Sequence, residues 1–181
     1  MILSAKKYVA ALLVFVCVCM IFSPQTAYAA EDSSQHETVK VGFFAMDGYH
    51  MMDEKGNRYL TGVNCVADVA MQSFMATKRL YGKDIGTFYQ YTQSFSPEED
   101  LTPAQAHEIG LELAERFFPG CEVLVATHVD REHLHSHLVV NSVHPDTGKK
   151  LHFTPRTLEQ MRKVSDQICM EHGLSTLKPY R

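Results

Sequence analysis

Cysteine is scarce and never stands at metal-binding spacing. Of the five, Cys17 and Cys19 sit in an N-terminal apolar run, and Cys65, Cys121 and Cys169 are isolated. Without a C-x-x-C pair, a zinc ribbon and a disulfide scaffold are both excluded. A continuous membrane-spanning run is missing too: the longest apolar stretch, Tyr8 to Phe22, has about 15 residues, short of the roughly 20 that a spanning helix needs. Positive charge is not in excess. The chain carries 17 basic and 21 acidic residues, and residues 1–30 hold two lysines and no acid, so the remainder has 15 against 21. Long-range steering of nucleic acid is therefore repulsive, and any such contact must come from a local patch. Internal repeats and low-complexity tracts are also lacking. What remains, 181 residues at 45% hydrophobic and 21% charged, suits one globular domain with a real core.

The N-terminus has the form of a secretory signal. Lys6-Lys7 precedes the apolar run, and Ala27-Tyr28-Ala29 supplies an A-x-A cleavage site. Residues 1–29 are read as a signal peptide, with a retained anchor as the alternative.

Beyond it, Val39 to Ala45 reads as a strand, followed by turns at Asp47-Gly48 and Lys55-Gly56-Asn57. Val66, Val69, Ala70, Phe74, Thr77 and Tyr81 recur at helical spacing, and Gly82 ends that helix. Thr87 to Phe95, rich in aromatics, suits a strand. Thr102-Pro103-Ala104-Gln105 combines an N-cap, a proline at the first helical position and a capping-box glutamine. The helix it starts buries Ala106, Ile109, Leu113 and Phe117 and stops at Pro119-Gly120. Strands from Cys121 to about Val129 and from about His135 to Val143 form an antiparallel pair with a short connection. Leu151-His152-Phe153 reads as one more short strand, and Thr154-Pro155 opens a last helix with Leu158, Met161, Ser165 and Ile168 or Cys169 inward. The expected fold class is α+β, an antiparallel sheet with helices packed on one face.

Between those two core strands lie His128, His133, His135 and His137. Alternate side chains of a strand point the same way, so His133, His135 and His137 would share a face, with His128 near enough to join them. Imidazole is largely neutral near pH 7 and keeps a lone pair for a transition metal. Several histidines at the join of buried strands are costly without partners, which points to a metal or catalytic cluster rather than a polar edge. Three imidazoles leave a divalent ion with most of its charge and with open positions, the arrangement for polarising a substrate oxygen. Zn, Mn, Co or Ni are expected above Ca, and Mg serves where phosphate oxygens complete its shell. Asp130 is placed to accept a ring N–H and orient a ligand, or else is an ordinary turn aspartate. A different histidine-metal hydrolase would need Asp130 or Glu132 to activate water.

The block from Tyr59 to Leu174 resembles the relaxase or mobilisation nuclease family, the HUH endonucleases of conjugative and mobilisable elements. The segments that carry the likeness are Tyr59 to Cys65, Met75 to Lys78, His107 to Leu111 and Ala126 to Ser142. The resemblance implies nicking of one DNA strand at a transfer origin, by a tyrosine that attacks the scissile phosphate and stays on the 5′ end. It assigns the metal ligands to His128, His135 and His137, with His133 as an accessory position, and implies a divalent cofactor such as Mn, Mg or Zn. Single-stranded origin DNA is the implied partner, together with other mobilisation proteins.

Residues 30–58 instead resemble the opening of exported solute-binding sensors, which suggests a chimera joined near Arg58-Tyr59, with residues 59–181 as a partial relaxase-like domain. Tyr49 and Tyr59 are the nucleophile candidates. Lys149, Lys150 and Arg156, beside a helix start that favours anions, are the candidate DNA contacts. The first functional expectation is a relaxase-type, metal-dependent DNA nicking domain. The alternative is an exported sensor remnant fused to a non-catalytic relaxase fragment. The signal implies export or anchoring, whereas the relaxase resemblance implies the cytoplasm.

Overall fold

The computed structural model describes residues 51–83, 88–129 and 133–176. The signal segment, the strand expected at 39–45, Tyr49, Asp130 and Glu132 lie outside the described residues. Four strands form one antiparallel sheet: β1 (Leu60–Val63), β2 (Phe88–Ser94), β3 (Val123–His128) and β4 (His135–Asn141), in the order β1-β3-β4-β2. Three helices join them, α1 (Ala70–Leu80), α2 (Pro103–Phe117) and α3 (Pro155–Glu171).

The pleat sorts side chains onto two faces. Val123, Val125, Leu138, Val140 and Tyr91 meet Ile109, Leu113, Met161 and Ile168 of α2 and α3 in the larger core. On the other face, Leu124, Ala126 and Val139 pack with Ala70 and Phe74 of α1 and with Met51. The expected α+β architecture is thus present, with α2 and α3 sharing one face, and α1 is found on the opposite one. Gly110 lets α2 approach closely, since a Cβ there would lie 3.1 Å from Ser136 and 3.2 Å from Val125.

Both long helices start as their sequences dictate. Thr102 accepts from the Gln105 amide while the Gln105 side chain accepts from the Thr102 amide. Thr154 and Thr157 repeat this reciprocal box at α3. The helix expected from Val66 starts later, after a 3-10 turn at Ala67–Val69, and its buried stripe is Ala70, Phe74 and Lys78, while Val66 is exposed.

Two strand expectations need correction. Leu60–Val63 was not anticipated as a strand, yet it pairs with β3 along its whole length. Conversely, Leu151-His152-Phe153 is not a strand; only an isolated bridge joins Val143 and Lys150. Phe153 is drawn instead into aromatic packing, with its ring centroid 4.4 Å from Tyr89 and 5.6 Å from Tyr91. Residues 51–58 turn back upon the sheet: Met51 is fully buried, its carbonyl accepts from the Tyr59 amide, and the Tyr59 carbonyl accepts from the Thr127 amide. The described end of the segment expected to be sensor-like is therefore part of this fold.

Candidate metal centre

Strand register brings the histidines together. His128, at the end of β3, is paired directly with His135, at the start of β4, and His137 lies one pleat further along the same face. Their ring centroids are 4.8 Å (His128–His135), 4.7 Å (His128–His137) and 5.1 Å (His135–His137) apart. One ligand nitrogen from each falls within 4.8 Å of the others, close enough to share one ion. A triad along β4 alone does not form, because His133 precedes the strand and stands exposed at the rim, 5.5 Å from His135.

The site's surroundings suit neutral ligands. Burial, reinforced by the neighbouring His128 and His135, pushes the His137 imidazole down to about 3, so the ring is uncharged at neutral pH. The His133 carbonyl lies 3.3 Å from His135 Nδ1. A carbonyl only accepts, so Nδ1 carries the proton and Nε2 is left as the ligand atom. His137 Nδ1 faces β2, with Thr92 Oγ1 at 3.1 Å and Gln90 Nε2 at 3.2 Å. The donor set, three imidazoles with orienting partners on two of them, fits a borderline divalent cation.

Tyr59 is not brought to this cluster. Its ring packs edge-on against His107 of α2, 6.0 Å between centroids, on the opposite side of the sheet. Its hydroxyl donates to Asp53 at 2.8 Å, and that bond raises its pKa above the usual tyrosine value. Tyr49 and Asp130 lie outside the described residues.

The three basic candidates are also remote from the histidines. Lys149 and Lys150 are exposed in the turn after β4, and Lys150 bridges Val143. Val143 stands eight positions beyond His135, on the order of 25 Å of extended chain. Arg156 is exposed at the start of α3, which packs on the far face.

A buried hydroxyl and imidazole network behind the cluster went unread in the sequence. His107 meets Thr61 Oγ1 through Nε2 at 2.8 Å and Thr127 Oγ1 through Nδ1 at 2.9 Å. Thr127 in turn meets Ser136 Oγ at 2.8 Å, and Ser136 donates to the Ala106 carbonyl. The only sequence signal for it was alternation: Thr127 precedes His128, and Ser136 stands between His135 and His137.

Residues 47–174 match the family described as "Relaxase: MobA/VirD2-like, nuclease domain". The match begins upstream of the join expected near Arg58-Tyr59, which nothing else supports, and it includes Tyr49. The chain is 44% identical over 123 residues to Protein rlx of Staphylococcus aureus, covering 67% of this chain and 39% of that protein. It is 32% identical over 156 residues to the Group II intron-interrupted relaxase LtrB of Lactococcus lactis subsp. cremoris, covering 65% of this chain and 28% of that protein. The chain thus spans about two fifths or less of these relatives' lengths. No solved structure matches it. On a family match that takes in most of its length and the entire histidine centre, the chain belongs to the MobA/VirD2-like relaxase nuclease family.

Proposed function

We propose that this chain is the nuclease part of a mobilisation relaxase, which nicks single-stranded DNA at a transfer origin and uses a divalent cation held by His128, His135 and His137. The carrying observation is the convergence of three imidazoles from two adjacent strands in a chain of this family. Mn, Mg or Zn would each suit the site once phosphate oxygens complete the shell. When bound, the cation supplies Lewis acidity to the non-bridging oxygens of the scissile phosphate.

Tyr49 is the proposed nucleophile, since the family match includes it and Tyr59 points away from the histidines. Its hydroxyl oxygen would bond to phosphorus while losing its proton. The 3′ oxygen would leave and take up a proton, and the 5′ phosphate would stay on the tyrosine. Asp130 is proposed to orient a ligand ring, and His133 to serve as an accessory group at the rim.

Incubation with Mn and labelled single strands spanning candidate origins tests the reading. A covalent protein–DNA adduct is expected on a denaturing gel, lost in Tyr49→Phe and in His135→Ala and retained in Tyr59→Phe. Cation binding without any adduct would overturn it in favour of a non-catalytic relaxase fragment joined to an exported segment.

A further inference from the structure

His135 and His137 are oriented differently, and the difference points to a control on metal loading. A backbone carbonyl fixes the Nδ1 proton of His135. Facing His137 Nδ1 are two side chains of β2, one able to donate or accept and one an amide with its nitrogen toward the ring. An amide N–H only donates, so in this arrangement Nδ1 accepts and the ring proton sits on Nε2. A cation needs the reverse: a lone pair on Nε2 and a proton on Nδ1. The Thr92 hydroxyl accepts that proton without moving, whereas the Gln90 amide must turn so that Oε1 replaces Nε2.

We propose that Thr92 and Gln90 are positioning residues that set the His137 tautomer, with Thr92 favouring the metal-binding form and the Gln90 amide opposing it until it turns. The inference rests on the histidine centre proposed above and assigns His137 Nε2 as its ligand atom. Both side chains lie on the sheet face of the histidines, because Thr92 pairs with His137 and Gln90 with Val139 across β2 and β4. Among the described side chains, Thr92 and Gln90 are the hydrogen-bond partners of His137 Nδ1.

The test is titration of the metal-free protein with Co²⁺, followed by its visible absorption and by calorimetry, with no DNA present. Gln90→Glu places a permanent acceptor at Nδ1–H, forming a carboxylate–histidine–metal arrangement, and is expected to tighten binding about tenfold. Thr92→Val removes the acceptor while keeping the shape and is expected to weaken binding about tenfold or more. Thr92→Ser should bind as the wild type does. A gain in Gln90→Glu from added charge alone would vanish at about 0.5 M salt, and one from the hydrogen bond would persist. Circular dichroism shows that each variant is folded. Wild-type binding that both Gln90→Glu and Thr92→Val leave within about twofold at that salt overturns this inference and spares the metal centre. A wild type that binds no Co²⁺ overturns both.

Discussion

His107 stands directly behind the histidine cluster, and the direction of every hydrogen bond around it can be derived. Ser136 donates to the Ala106 carbonyl, so its oxygen accepts from Thr127. The Thr127 oxygen is then free to accept from His107 Nδ1–H, and Nε2 must accept from Thr61. The chain therefore runs one way through β1, α2, β3 and β4, with no donor facing a donor. Burial lowers the His107 pKa, in keeping with a neutral ring that needs both contacts. His107→Ala would remove the middle of this chain and leave Thr61 and Thr127 each short of a partner. A loss of about 3 kcal/mol in urea unfolding is expected, against about 1 kcal/mol for Thr61→Val, which removes only the terminal donor. Equal losses in the two variants would show that the chain is not acting as a unit.

Among the elements, those whose sequence carries its own start signal were the legible ones. Thr102-Pro103 with Gln105, and Thr154-Pro155, mark the first turns of α2 and α3, and the structure holds both caps. Thr102→Ala should cost about 1 kcal/mol of stability, read by chemical unfolding, while Gln105→Ala, which leaves the Thr102 cap in place, should cost less. The strand β1 was illegible because Leu-Thr-Gly-Val is short and holds a glycine, and its pairing with β3 is decided by distant residues. That glycine is required there: a Cβ on Gly62 would lie 2.2 Å from the Cys65 carbonyl oxygen. Leu151–Phe153 misled in the opposite way, having an apolar pattern whose partner is an aromatic cluster and not a strand. The histidine cluster was legible because apolar runs mark β3 and β4, but strand spacing alone offered His133, His135 and His137, and only the family resemblance pointed to the set His128, His135 and His137 that the strand register gathers. Neither the Tyr59 orientation nor the His107 network was, since both depend on which face of the sheet each helix covers.

Across the whole molecule, that division of faces places neutral imidazoles on both sides of one sheet, and it sets how stability responds to acid. His107 on the α2 side and His137 in the cluster both titrate below the ordinary histidine value, His137 at about 3. In the unfolded chain each takes up a proton near pH 6.5. The folded chain takes it up only at lower pH, so the unfolded state binds more protons in between and stability is lost as pH is lowered through that window. Lowered carboxylates act in a separate range: Asp53, brought to about 2 chiefly by Asn57, and Glu159, held down by Lys163, lose their contribution only below their unfolded values near 4. Asp166 has the opposite sign, because burial raises its pKa, and it disfavours the fold once ionised. Between pH 7 and 5 the imidazoles therefore dominate. With a chelator present, the urea midpoint should fall steadily from pH 7 to 5, and His137→Gln should flatten part of that fall. Saturating cation should raise the midpoint at pH 7 and steepen its decline, because protons then compete with metal for the same nitrogens. A midpoint that stays level over this range in metal-free protein would mean that the two rings take up protons in the fold near the unfolded value, against the lowering that burial imposes on them.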